Sequence, residues 1–123
     1  MPKPPQKNRV SKGKEFEARA AEFLISQGYM IRERNWRTGH LEIDLIAVHN
    51  NTLVFVEVKG SRTGKFGHPA EWVDTQKKNN LYNAAQMYIV ERNLDVYDFR
   101  FDVITFYRGK LEHYPDAFRA ESA

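Results

Sequence analysis

Two short apolar stretches, Leu41 to Val48 and Leu53 to Val58, flank Asn50-Asn51, and nothing else in the chain restricts its fold as tightly. Both stretches are rich in β-branched and aromatic residues, which suit a pleated strand, and asparagine tolerates the positive φ of a primed turn. They read as a β-hairpin. A loop of Asn50-Asn51, or of the four residues His49 to Thr52, sets one register: Asp44 opposite Glu57, Glu42 opposite Lys59, Ile46 opposite Phe55 and Val48 opposite Leu53, all on one face. The other face then holds Ile43 with Val58, Leu45 with Val56 and Ala47 with Val54. A three-residue loop or a bulge would move the pairs by one and part the two carboxylates.

Directly opposed cross-strand residues have Cβ atoms about 4.5–5.5 Å apart, and like charges placed so are destabilising. A hard divalent cation, Mg²⁺ or Mn²⁺, offsets that repulsion, since such ions are held by one or two carboxylates together with water and substrate phosphate. Lys59, two residues past Glu57 on the same face, is placed to orient an attacking water and to screen the attacked phosphate. The plainer alternative is an exposed, salt-bridged strand end. Against it, the apolar run Val54-Phe55-Val56 leads straight into Glu57.

The chain of 123 residues is long enough for one domain with a sheet and a few helices. It has no cysteine, hence no disulfide or thiolate metal site, and His40, His49, His68 and His113 are scattered without the i, i+4 spacing of a zinc site. No apolar run approaches a membrane span and no secretory segment opens the chain, so a cytoplasmic protein without membrane association is expected. Five of the 19 basic residues (Lys3, Lys7, Arg9, Lys12 and Lys14) precede the first acidic residue, Glu15, which leaves 14 basic against 16 acidic, a net of −2. Such a body is not a generic nucleic-acid surface. A bound divalent ion would neutralise part of its negative charge, and the basic arm could supply phosphate contacts or act only as a solubilising tail. Residues 1–10, with Pro2, Pro4 and Pro5, read as a flexible basic arm, and residues 11–123 as a single domain.

A first helix is expected from a Ser11 cap to just before Gly28, with Phe16, Ala20, Phe23 and Leu24 as its buried stripe and Glu17 at the border of that stripe. Tyr29 to Arg34 reads as a strand leading into Asn35-Trp36-Arg37, where Trp36 belongs to the core and Arg37 either holds a phosphate or braces the carboxylates. Gly60 to His68 reads as a mobile basic loop, in which Arg62 and Lys65 are candidates for nucleic-acid contact. A second helix spans Asp74 to Arg92 with Leu81, Ala84, Ala85, Tyr88 and Ile89 buried and Lys77 one turn before Leu81 on the same side. A strand from Phe99 to Tyr107, an Arg108-Gly109 turn and a strand from Lys110 to Tyr114 complete the sheet, with Asp102 structural.

Glu42-Ile43-Asp44, a short hairpin, then Glu57-Val58-Lys59 resembles the signature of the PD-(D/E)XK nucleases. More specifically, the chain resembles the YraN family of bacterial endonuclease-like proteins, distantly similar to archaeal Holliday junction resolvases. The resemblance rests on Asn35-Trp36-Arg37, Glu42 to Ala47, Val54 to Lys59, Phe66-Gly67 with Pro69, Lys77 with Leu81, and Arg100 to Val103, and it covers the chain from about Gly13 to Phe118. Ile43 stands where the superfamily usually has proline and Leu41 where many of these chains have glycine; the ligand types and spacing are intact. The resemblance implies an α/β, restriction-endonuclease-like fold with a central mixed β-sheet flanked by helices. It further implies Mg²⁺- or Mn²⁺-dependent hydrolysis of DNA phosphodiester bonds, with branched or junction DNA as the analogous substrate and a homodimer if junctions are cut. By the same resemblance Glu17 approaches the metal held by Asp44 and Glu57, the Val58 carbonyl adds a ligand, and Lys77 binds a phosphate. A non-catalytic nucleic-acid-binding or scaffold protein on the same fold is the alternative; such a protein would gain by losing mutually repelling carboxylates.

Overall fold

Asn50 and Asn51 both take left-handed backbone conformations, φ 50° and 67°, as a two-residue primed turn requires. Around that turn the computed structural model describes residues 5–61, 73–95 and 97–119. The elements run α1 (Pro5–Ser26), β1 (Met30–Thr38), β2 (Leu41–His49), β3 (Thr52–Ser61), α2 (Thr75–Glu91), β4 (Asp98–Tyr107) and β5 (Lys110–Phe118). The strands form one five-stranded sheet in the order β1-β2-β3-β4-β5. β3 and β4 are parallel and joined through α2, while the other neighbours are antiparallel.

The two helices cover opposite faces. Ala20, Ala21 and Leu24 of α1 pack on Leu45, Ala47, Val54, Val56, Ile104 and Phe106. On the other side Leu81, Ala84, Ala85, Tyr88 and Ile89 of α2 pack on Ile43, Ile46, Leu53, Phe55, Phe101 and Val103. The central strands therefore carry unbroken buried runs, Leu53 to Glu57 and Phe101 to Phe106, as a sheet covered on both faces needs. Asp74 caps α2, its carboxylate accepting the Lys77 N–H at 2.8 Å. Trp36 and Tyr88 meet edge to face at 5.1 Å inside the α2-side core, so this tryptophan is a packing group. Among the described residues no helix is long and apolar enough to cross a membrane.

Several boundaries differ from expectation. α1 starts at Pro5, ahead of the Ser11 cap, because proline is tolerated in the first helical turn, where its missing N–H would find no partner anyway. Its end is as expected: Gly28 sits at φ 91°, and Tyr29 donates its N–H back to the Leu24 carbonyl. β1 continues through Asn35-Trp36-Arg37 to Thr38, and β5 extends to Phe118. Gly60 belongs to β3 and pairs with Phe106; it is not the start of a loop.

Gly60 is also where α1 comes closest to β3. A Cβ built there would lie 2.6 Å from the Phe16 ring, which is stacked on Phe106 at 4.8 Å; the Arg19 guanidinium lies over that same Phe106 ring, 4.9 Å from its centroid. Gly60→Ala must displace a ring stacked on Phe106, and a thermal melt is expected to show a loss of about 1–3 kcal/mol. An unchanged melting temperature would mean that Phe16 yields freely.

Candidate metal and phosphodiester site

The expected register holds from the turn outward: His49 pairs with Thr52, Val48 with Leu53, Ala47 with Val54, Ile46 with Phe55 and Leu45 with Val56. The ladder then stops one residue short of Asp44 and Glu57. Strict alternation would keep Ile43 with Leu45 under α1, yet Ile43 packs under α2 with Ile46. The facing reverses at Asp44. A matching irregularity lies across the ladder, where Arg34 pairs with Leu45 and Trp36 with Ile43 around Asn35 at φ 52°.

Reversal turns the Asp44 side chain toward β3. Its Oδ2 accepts the Val58 N–H at 2.8 Å, replacing a ladder carbonyl. The expected arrangement, with Asp44 and Glu57 as directly opposed ladder partners and Ile43 beside Val58, is thus corrected: the carboxylates meet because one strand twists its carboxylate into the widening gap. They do meet, and the two side chains hydrogen-bond to each other.

Glu57 is buried, and burial and the neighbouring Asp44 charge together push its carboxyl up to about 7, against the pull of Lys77 and Lys59. Asp44 is also raised, chiefly by burial, although the Val58 N–H and Lys77 oppose the shift. Burial and mutual repulsion thus both favour the protonated form of this pair. Glu17 on α1 reaches Asp44 from the other side; burial and then the Asp44 charge raise its carboxyl, while the Asn35 amide hydrogen-bonds to it and works the other way. Asp44 is the hub of the three. They do not surround one point: among the described residues no group of three or more His, Cys, Asp and Glu side chains is disposed to hold an ion.

The predicted cations are placed unevenly. Lys77 turns to Glu57, with Nζ 3.7 Å from Oε2, and so offsets part of the repulsion within the pair. Lys59 is close enough to lower Glu57 electrostatically. Arg37 pairs with its ladder neighbour Glu42 at 3.4 Å and is largely exposed. Val58 engages its N–H with Asp44 and packs its side chain against the α1-side core. Arg62 and Lys65 lie outside the described residues. Asn35 had no assigned role in the sequence, where it followed the expected strand; in the structure it lies inside β1, which as a strand disfavours asparagine.

A titration follows from the raised carboxyl. Because the folded value for Glu57, about 7, exceeds the ordinary 4.5, the folded state binds protons more tightly than the unfolded chain between those pH values. Metal-free stability should therefore fall as pH rises from about 4.5 to about 7, by on the order of 3 kcal/mol. Glu57→Gln should remove that slope, so its advantage over wild type grows from pH 4 to pH 8 in urea titrations with chelator. An advantage that does not change with pH would contradict the assignment.

The mixed sheet sandwiched between helices, with acidic residues at the point where its hairpin splays, makes this a restriction-endonuclease-like α/β domain. The sequence model described as "Uncharacterised protein family UPF0102" matches residues 16–106, and the chain belongs to that family, the YraN family that its motifs resemble. A UPF0102 protein of Sulfurihydrogenibium sp. is 40% identical over 114 residues, covering 93% of this chain and 99% of the relative. Similar proteins occur in Persephonella marina, 39% identical over 107 residues with 87% and 92% covered, and in Syntrophotalea carbinolica, 43% over 114 residues with 89% and 93% covered.

Proposed function

We propose that the protein is a metal-dependent nuclease that hydrolyses DNA phosphodiester bonds. The observation that carries this reading is the contact between half-buried Asp44 and buried Glu57. Two carboxylates forced together at a splayed strand pair, at a cost in protonation free energy, suit a hard divalent ion: the donors are all oxygen, and two carboxylates are what Mg²⁺ commonly takes from a protein while water and phosphate complete its shell. A bound Mg²⁺ or Mn²⁺ would lower the pKa of the attacking water and stabilise charge building on the phosphate. Asp44 and Glu57 are the groups that would hold it. Asp44 is fixed by the Val58 N–H and so is pre-aimed before any ligand arrives. Glu17 braces Asp44, and Asn35 braces Glu17. Lys59 orients the water and offsets charge on the phosphate. Lys77, paired with Glu57, keeps the pair from carrying its full negative charge. Branched or junction DNA is the substrate structure that the family resemblance favours.

The Lys77–Glu57 ion pair favours one other reading, since a protein cation already serves the carboxylates. On that reading the protein binds nucleic acid without cutting it. Incubation with linear, single-stranded and four-way-junction DNA in Mg²⁺, Mn²⁺ or chelator separates the two. Metal-dependent cleavage is expected; binding without cleavage of any substrate would favour the second reading.

A further inference from the structure

Beside the carboxylate pair, Lys14, Glu17, Ala18, Arg34, Asn35 and Leu45 line a cleft between α1 and the start of the β1–β2 twist. Two independent features bring cations to it. Lys14 precedes Glu17 by three residues on α1 and shares its face. Arg34 is the ladder partner of Leu45, a residue of the α1-side core, so its side chain leaves the sheet on the side that α1 covers. Both cations are exposed. Arg37, Arg92, Arg100 and Arg119 are each committed to a carboxylate, whereas Arg34 has no such partner among the described residues.

We propose that Lys14 and Arg34 form a subsite for a non-scissile phosphate of the polynucleotide backbone, next to the phosphate that is cut. The proposal rests on the nuclease reading and deepens it. Glu17 and Asp44 at the inner end would repel a small free anion. A backbone is different, because it places a phosphate at the cationic rim and an uncharged sugar beside the exposed Ala18. Lys77 stands on the α2 side of the same pair, so cations bracket the carboxylates from both faces of the sheet. A chain crossing the site uses both sets, and a terminal phosphate monoester would use one. The subsite therefore selects a strand that continues beyond the bond being broken.

The test is binding of a fluorescent duplex oligonucleotide, without divalent metal, across 50 to 200 mM salt, as order-of-magnitude conditions in which phosphate contacts show. Wild type is compared with Lys14→Ala, Arg34→Ala, the double variant and Arg119→Ala, whose arginine is exposed and lies elsewhere, paired with Asp116. Circular dichroism melts confirm that each variant folds. The double variant is expected to bind roughly tenfold more weakly and to lose about 2 from the slope of log affinity against log salt, with Arg119→Ala matching wild type. Wild-type affinity and slope in the double variant would overturn the subsite. Wild type that fails to bind would overturn it as well. Parallel cleavage assays in Mg²⁺ keep the two claims apart: the expected binding loss with no cleavage by wild type leaves the subsite and sinks the nuclease, while cleavage by wild type and by an equally tight double variant does the reverse.

Discussion

Asp44→Asn is expected to lower DNA cleavage at least about a thousandfold, some 4 kcal/mol of barrier, while the protein keeps its fold. The asparagine oxygen can still accept the Val58 N–H that now reaches Oδ2 at 2.8 Å, so the local backbone geometry survives. What disappears is the second negative charge. An ion that needs two carboxylates then loses one anionic ligand, and charge on the reacting phosphate loses its compensation. The same substitution relieves the repulsion that raises Glu57, so the metal-free variant should unfold at higher urea than wild type at pH 8. Reduced activity together with unchanged or higher stability separates a functional carboxylate from a structural one. Wild-type cleavage rates in Asp44→Asn would remove the enzyme assignment.

Asp102→Ala is expected to do the opposite, costing about 3–5 kcal/mol of stability, because removing one member of a buried charge network leaves its partners uncompensated. Asp102 is fully buried. Arg100 donates to it at 2.9 and 3.2 Å, His113 Nε2 lies 2.8 Å away, and the Asp116 N–H donates at 2.9 Å from a left-handed residue in irregular β5. Burial alone would raise its carboxyl, but the hydrogen bonds from His113, Arg100 and Asp116 outweigh it and hold the group below its usual 3.8. That contribution is present above pH about 3.8 and is lost as pH falls through the depressed value, the reverse of the Glu57 window. Arg100 passes the network on to the Tyr29 hydroxyl at 2.6 Å, which ties β4 to the segment after α1. For a domain of this size the melting temperature should drop by roughly 10–20 °C. A fall of only a few degrees would mean that water replaces the lost carboxylate.

The sequence carried the hairpin because its turn is chemically explicit: two asparagines that accept positive φ fix the register, and the register fixes which residues approach. α2 was equally legible, since Asp74 is a cap and the buried stripe from Leu81 to Ile89 has helical spacing. The start of α1 was hidden because Pro2, Pro4 and Pro5 have the composition of an arm, while a proline in a first turn is also compatible with helix.

The candidate site was half legible. Side-chain alternation brought Asp44 near Glu57, but it cannot reveal that the facing reverses at Asp44, because that twist is shared with Asn35 on a neighbouring strand. Lys77 could be put on the right helix face, but not on a partner, since a long flexible side chain reaches a phosphate or Glu57 from the same position. The close approach of Gly60 to Phe16 is a tertiary fact with no local signature.

Crystals soaked in Mn²⁺ give the most direct measurement, through the anomalous signal of the ion. A single peak about 2.1 Å from carboxylate oxygens of both Asp44 and Glu57 is the result expected of a hard divalent ion held by this pair. A fully loaded crystal with manganese bound only elsewhere, or touching just one of the two carboxylates, would contradict it.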